Sequence, residues 1–138
     1  MQWMEPPPME AGAPEPIVQD IGHSLLCAYR CDNPDFPGWD SGDSAEHPGY
    51  DEYFAILKFE EVESFEFGPP NDESLYNHPL YKKGVDYYGF YKLGYLNDFY
   101  HWVITFHDET LQVFAKKATV IHKRIDAASA QDALSSLV

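Results

Sequence analysis

The sequence predicts an α+β fold, mainly an antiparallel β-sheet of about five to six strands, with one short helix near 72–78 and a C-terminal helix. Aromatic residues make up 16% of the 138 residues, with ten Tyr and nine Phe. Such side chains are enriched in strands. In Tyr100–Lys117, apolar and polar residues alternate, which places successive side chains on opposite faces of a strand.

This stretch, 100–117, is predicted to form a β-hairpin around Asp108 and Glu109. In that register Trp102 lies opposite Ala115, and the same apolar face carries four further side chains, Ile104, Phe106, Leu111 and Val113. The register and the pattern agree, as a hairpin with one buried face requires. Because Asp-Glu is not the Asn-Gly pair that favours the tightest turn, a four-residue loop is the alternative to a two-residue one.

The size of the chain indicates one folded domain, since a chain of 138 residues can bury most of its apolar surface without stabilising disulfides or metal ions. Residues 1–16 are predicted to be a flexible Pro-rich N-terminal segment, because they contain five of the eleven prolines and few packing residues apart from Trp3. Residues 17–138 form the single α+β domain.

The remaining strands follow from apolar runs bounded by turn residues. They are predicted at Ser24–Cys31, Tyr53–Phe67 and Val85–Leu96, with Ala118–Lys123 as the last strand. Both faces of Tyr53–Phe59 are largely apolar, which places this strand at the centre of the sheet, covered on both sides. Residues 32–51 form a long acidic loop, whose length favours either a functional or a disordered segment.

Two helices complete the fold. The first begins near Glu73 with Asn71 or Asp72 as its N-cap, and ends at His78 because the residue before a proline disfavours helix. The second covers residues 126–137, where Ala and Leu recur at helical spacing behind an Asp that caps the helix.

The net charge of −14 is unevenly distributed. Residues 1–80 contain seventeen Asp or Glu against Arg30 and Lys58, which is −15, whereas residues 81–138 sum to +1. An acidic half repels phosphate backbones, so nucleic-acid binding is not predicted. A basic protein partner is the natural complement, although solubility alone also accounts for acidity.

Cys27 and Cys31 are predicted to be two reduced, mostly buried thiols of a cytoplasmic protein. On a strand they lie roughly 13 Å apart, using about 3.3 Å per residue, which is beyond the reach of a disulfide. A single CxxxC pair is poor evidence for zinc, and neither a metal site nor a cofactor is predicted. No segment reaches the roughly 18 apolar residues that would span a membrane, and the N-terminus lacks the pattern of a secretory signal.

The residues that could carry chemistry lie in the loop–helix unit and on the hairpin. They are Asn71, Asp72, Glu73, His78, His101, His107 and Asp108. A mixed set of His and carboxylates can ligate a divalent metal or perform acid–base chemistry. His101 and His107 lie roughly 20 Å apart at about 3.3 Å per residue, so they cannot bind one ion. His107 and Asp108 can converge at the turn with His78, and these three are the catalytic candidates.

Each of these candidates also has an ordinary structural interpretation. Asp72 and Glu73 are typical of a helix N-terminus, where the dipole favours acids. Asp108 is typical of a turn, where its side chain binds the backbone.

A stripe of tyrosines, Tyr87, Tyr88, Tyr91 and Tyr95, is explained mainly by packing, with Gly89 leaving room for a neighbouring ring. Tyrosine is nevertheless enriched at protein interfaces. Tyr87 and Tyr91, together with Asp72 and Glu73, are therefore the predicted binding residues.

A family resemblance is carried by FGPPNDESLYNHPLYKKGVDYY and, downstream, by HWVITFHDETLQVFA. These segments resemble the PNDE-L-HPLY--G and H-I-TFHD-T-E--A segments of an uncharacterised family of small bacterial proteins, and the likeness covers roughly residues 59–115. Where the family-like segment has Phe-Glu, this chain has Leu111-Gln112. The family implies no established activity. More loosely, the chain is similar to the small acidic proteins of bacterial toxin–immunity and contact-inhibition loci.

Three functions are therefore in competition. The first is a non-enzymatic acidic binding protein, of the immunity type, that neutralises a basic partner. The second is a metal-assisted hydrolase or other small enzyme that uses His78, His107, Asp72 and Asp108. The third is a small-molecule binding module whose aromatic sheet lines a pocket. Binding ranks first, because no catalytic constellation passes the spacing test.

Overall fold

The computed structural model describes residues 2–10, 16–31, 52–95, 97–127 and 129–135, and the acidic loop predicted at 32–51 lies outside them. Six strands form one antiparallel sheet in the order β1-β2-β3-β6-β5-β4: β1 Ile17–Asp20, β2 Ser24–Arg30, β3 Glu52–Gly68, β4 Phe90–Gly94, β5 Tyr100–Thr105 and β6 Thr110–Ala127. A 3₁₀ turn at Leu75–Asn77 and helix α1 at Pro79–Lys82 precede β4, and helix α2 at Ala130–Ser135 follows β6. The predicted fold class is confirmed.

The β5–β6 hairpin forms, but its register differs from the prediction by two residues. Trp102 pairs with Val113 and not with Ala115, and the last pair of the ladder is Thr105 with Thr110. The four residues between those threonines make the connection, so the four-residue loop is the one adopted. Because side chains alternate with a period of two, the shift leaves every residue on its predicted face.

β3 lies at the centre of the sheet and is covered on both sides, as predicted. Leu57 and Phe59 belong to the main core cluster, whereas Phe54 and Ile56 belong to a second cluster on the opposite face. Its neighbour β6 runs unbroken for 18 residues and includes the range 118–123 that was predicted as a separate strand. The separate strand was wrong because no Gly or Pro interrupts β6.

The main core lies inside a strong curl of the sheet. In a flat sheet, β2 and β4 would be roughly 19 Å apart, because four steps of about 4.8 Å separate them. Instead, the ring centroids of Tyr29 on β2 and Phe90 on β4 are 5.3 Å apart. The curled face therefore encloses its own apolar side chains.

Residues 2–10, which we call the N-terminal strap, bridge the gap between β4 and β2. At one end the Trp3 N–H donates to the Phe90 carbonyl at 2.8 Å, and at the other the Glu10 N–H donates to the Arg30 carbonyl at 3.0 Å. The Trp3 ring is buried against Trp102, with centroids 5.0 Å apart. The Pro-rich segment is thus anchored in the core at Trp3, while its flexibility stays a prediction.

The outer face of the sheet is covered by the two helical units. Leu75 and Leu80 pack with Val103 in a third cluster, and Ala133 and Leu134 of α2 pack in the second. The side chains of the terminal helix thus pack directly against the sheet in the part of the chain that the structure describes.

α2 begins later than predicted. It starts at Ala130 and not near Asp126, which lies in β6 opposite Tyr53. Ser129 supplies the cap, since its Oγ accepts a hydrogen bond from the Asp132 N–H at 3.1 Å. The last three residues of the predicted helix, 136–138, lie outside the described part.

The short helix near 72–78 is present but is built in two pieces. His78 was predicted to end the helix, and it does follow the 3₁₀ turn. However, His78 is also the N-cap of α1, with its Nδ1 accepting from the Leu80 N–H at 3.2 Å. Pro79 begins α1 because the first helical position needs no N–H partner and proline has the required φ.

The fourth strand is shorter than predicted. Residues 85–89 form a turn before β4, held by Thr105, whose Oγ1 donates to the Asp86 carbonyl at 2.7 Å and accepts from the Gly89 N–H at 2.9 Å. A Cβ at Gly89 would lie 2.7 Å from the Tyr91 Oη, so this glycine does leave room for a neighbouring ring.

Both cysteines are buried, as predicted. Burial raises the pKa of the Cys27 thiol to about 12. In the described ranges, none of the helices has the length and hydrophobicity that a membrane-spanning segment requires.

Candidate functional site

The turn of the β5–β6 hairpin meets the segment that follows β3. Within the turn, the Phe106 N–H donates to the Glu109 carbonyl at 2.9 Å, and between the two segments the Asp72 N–H donates to the His107 carbonyl at 3.0 Å. Three residues predicted from the sequence as site candidates, Asp72, His107 and Asp108, are therefore brought together.

Their side chains form a cluster around the His107 imidazole. Nδ1 lies 2.7 Å from Asp108 Oδ1, and Nε2 lies 3.5 Å from Asp72 Oδ2. The Tyr88 hydroxyl donates to the same Asp72 oxygen at 2.6 Å, and the Tyr88 ring lies nearly parallel to the imidazole, at 22° with centroids 6.4 Å apart. Tyr88 was not a candidate from sequence, because only the fold brings it 16 residues back to Asp72.

These contacts favour the charged form of the histidine. The hydrogen bond to Asp108 raises the pKa of His107, and the charge of Asp72 raises it further. The bond to Asp72 also raises the pKa of Tyr88 to about 12. The carboxylates at the two ring nitrogens therefore both favour the protonated imidazole.

A hollow of about 630 Å³ opens beside this cluster. Its lining residues are Gly68, Pro69, Asn71, Glu73, Ser74, Asp108 and Glu109. Asn71 shapes the wall, since its Oδ1 accepts from the Ser74 N–H at 3.0 Å and from the Ser74 hydroxyl at 2.8 Å. Three of the seven described lining residues are carboxylates and none is Lys or Arg, so we call this feature the acidic hollow. Glu73 was predicted as a binding residue, whereas Glu109 and Ser74 were not.

The other candidates lie elsewhere. His78 caps α1, and no hydrogen bond or ion pair joins it to the His107 cluster within the described residues. Tyr91, predicted as a binding residue, is 8% exposed in the core, where its hydroxyl accepts from the Asp86 N–H at 3.0 Å. Tyr87 is exposed and packs beside Tyr81, with ring centroids 6.4 Å apart.

His101 is buried on β5, away from the turn. Its Nε2 lies 2.8 Å from Gln112 Oε1, and its ring stacks on Phe114 with centroids 4.4 Å apart. Burial lowers the pKa of His101, which favours the neutral imidazole.

Across the described ranges, no group of three or more His, Cys, Asp or Glu side chains is arranged to hold a metal ion. In the His107 cluster, the carboxylates of Asp72 and Asp108 face the imidazole.

No family model, curated protein or solved structure matches the chain. The resemblance of residues 59–115 to a family of small bacterial proteins stays a prediction from the two sequence segments.

Proposed function

We propose that this protein is a non-enzymatic binding protein that receives a basic group of a protein partner in the acidic hollow. The observation that carries the proposal is the lining, in which Glu73, Asp108 and Glu109 surround a volume large enough for a lysine or arginine side chain. An immunity-type protein that neutralises a basic toxin is a function of this class.

The charges of the hollow act mainly on association rate and partner choice. Exposed ion pairs each contribute about 0.2–1 kcal/mol and are screened by salt, so three carboxylates alone do not make a tight complex. They attract cationic partners and repel anionic ones. The exposed rings of Tyr76, Tyr81 and Tyr87 supply the kind of contact area from which most binding energy comes.

General-base catalysis by His107 fits the geometry less well. A general base needs a ring nitrogen with a free lone pair within reach of a substrate proton. In His107, Nδ1 faces Asp108 at 2.7 Å and Nε2 faces Asp72 at 3.5 Å. The raised pKa of His107 also favours the protonated ring, which cannot accept a proton.

The test uses hexalysine, acetylated and amidated, as the probe in calorimetric titrations. We expect binding at about 20 mM salt to weaken about ten-fold at about 300 mM, since the Debye length shortens over that range. The variant Glu73→Gln/Asp108→Asn removes two charges from the hollow and is expected to weaken binding about five-fold, given about 0.5 kcal/mol for each lost pair.

The matched control, Glu5→Gln/Asp98→Asn, removes the same two charges from exposed positions on the strap and in the β4–β5 turn. Equal losses in the two double variants would mean that hexalysine responds to net charge, and the hollow would then not be the binding site.

A further inference from the structure

Among the residues that the structure describes, one edge of β3 carries no neighbouring strand along its second half. β2 pairs with β3 only from Phe54 to Glu60, whereas β6 continues on the other side as far as Gly68. Beyond Glu60, a single backbone hydrogen bond between described residues crosses on the β2 side, from the Val62 N–H to the His23 carbonyl at 2.9 Å. In the described part of the chain, no backbone hydrogen bond reaches Glu63–Gly68 from that side. We call these six residues the open edge.

The open edge runs between two hollows. At its start lies a hollow of about 300 Å³, whose lining includes Asp20, Glu63 and Phe65. At its end lies the acidic hollow, whose lining begins with Gly68 and Pro69. Six residues span roughly 20 Å at about 3.3 Å per residue, which is the length of an ordinary strand.

The side chains of the open edge have the chemistry of a contact surface. Glu60 and Glu61, just before it, form ion pairs with Lys117 and Lys116 at 3.7 and 3.9 Å. Glu63 and Glu66 are exposed and form no ion pair with any described residue. Between them Phe65 is 40% exposed.

Proteins commonly protect an edge strand with charged side chains, proline or a covering segment. Here the charges are glutamates, and within the described residues no segment covers them or the partly exposed Phe65 ring. Pairing with a second copy would bring the glutamates of two open edges into one ladder, and like charges facing each other across strands are destabilising. The edge is therefore suited to a cationic strand and not to another copy of this chain.

We propose that the open edge binds an extended basic segment of the partner as an additional β-strand. Backbone hydrogen bonds fix the position of the added strand, as in other cases of strand addition. Its basic side chains enter the two hollows, towards Asp20 and Glu63 at one end and Glu73 and Asp108 at the other. An apolar side chain between them covers Phe65. This inference rests on the proposed function and adds the binding mode.

The experiment compares two acetylated, amidated seven-residue peptides of alternating lysine and valine. One has ordinary amides, and the other is N-methylated at every residue, so that it keeps all charges but has no backbone donors. We expect the ordinary peptide to bind about ten-fold more tightly, because only it can add to a sheet. We also expect saturation with it to slow hydrogen exchange about ten-fold at those amides of Glu63–Gly68 that point away from β6, as measured by NMR.

The charge-reversal variant Glu63→Lys/Glu66→Lys is expected to weaken binding of the ordinary peptide about ten-fold relative to its control. The control, Glu5→Lys/Asp98→Lys, makes the same change in net charge away from the edge, and circular dichroism verifies that both variants fold. Equal binding of the two peptides with unchanged exchange at the open edge would overturn strand addition and leave the proposed function intact. Failure of both peptides to bind at low salt would overturn both.

Discussion

His107 has a carboxylate at each ring nitrogen, and this arrangement connects the hairpin turn with the segment after β3. Asp108 comes from the same turn, whereas Asp72 comes from the other segment and also accepts the hydroxyl of Tyr88. Both carboxylates favour the charged form of the imidazole. One of them, Asp108, also lines the acidic hollow.

The pKa of His107 is expected to lie above its ordinary value of 6.5 and to fall in Asp108→Asn, because the first cause of the shift is the bond to Asp108. A folded-state pKa above the unfolded value stabilises the protein fully below the unfolded pKa. That contribution is lost as the pH rises through the folded pKa. NMR titration of the imidazole protons, together with unfolding free energies across this range, checks both statements. Asp98→Asn is the control, and a wild-type pKa at or below 6.5 would contradict the expectation.

Gly89 lies against the ring of the buried Tyr91. Gly89→Ala places a Cβ 2.7 Å from the Oη and 2.8 Å from the Cε2 of the buried Tyr91 ring. Overpacking of this kind costs about 1–3 kcal/mol of unfolding free energy. Gly94→Ala is the matched control, since nothing lies within 4 Å of its Cβ and we expect a change within about 0.5 kcal/mol. Denaturant titrations measure both, and equal effects would show that Tyr91 moves aside freely.

At the residue scale, local chemistry predicts part of the site and long-range contacts decide the rest. The sequence shows that His107 and Asp108 are adjacent at a turn, and it also identifies Asp72 as a candidate site residue. The absence of His78 from the cluster is not visible, because it depends on where α1 begins. Tyr88 belongs to the His107 cluster because residues 85–89 form a turn before β4. The tyrosine-rich pattern of the sequence predicted a strand there.

At the scale of elements, the alternation of apolar and polar residues predicts which face of the sheet a side chain occupies more securely than it predicts which residues pair across strands. The β5–β6 hairpin has the predicted apolar face with a register two residues away, since a shift by two preserves the face and only moves the centre of the turn from between Asp108 and Glu109 to between His107 and Asp108. Turn residues explain the other differences. Because no turn residue interrupts it, β6 continues through 118–123. Asp126 belongs to this strand, so Ser129 and not Asp126 caps α2.

The N-terminal strap is the element whose contribution is least evident from sequence. Trp3→Ala is expected to lower the unfolding free energy by about 3 kcal/mol, because it removes a large buried ring from the core between β4 and β2. Met4→Ala, at a neighbouring side chain that is 75% exposed, is expected to change it by less than about 0.5 kcal/mol. Thermal and denaturant unfolding distinguish the two variants. A Trp3→Ala protein as stable as Met4→Ala would show that the core does not need the strap.

At the scale of the whole molecule, the fold gathers acidic residues from both halves of the chain on one part of the surface. The open edge, Asp72 and Glu73 come from the half with a charge of −15, and the hairpin adds Asp108 and Glu109 from the half with +1. The fold thus extends an acidic surface with two carboxylates from the otherwise balanced half. Composition predicts a cationic partner, and within the described residues the pairing of the strands leaves the β2 side of Glu63–Gly68 open.

The most direct test of this account is a chemical-shift map of the isotope-labelled protein titrated with hexalysine at low salt. We predict that the largest amide shifts occur in residues 63–74 and 107–109, along the open edge and around the acidic hollow. Shifts that are absent from both segments while the peptide binds elsewhere would contradict the account.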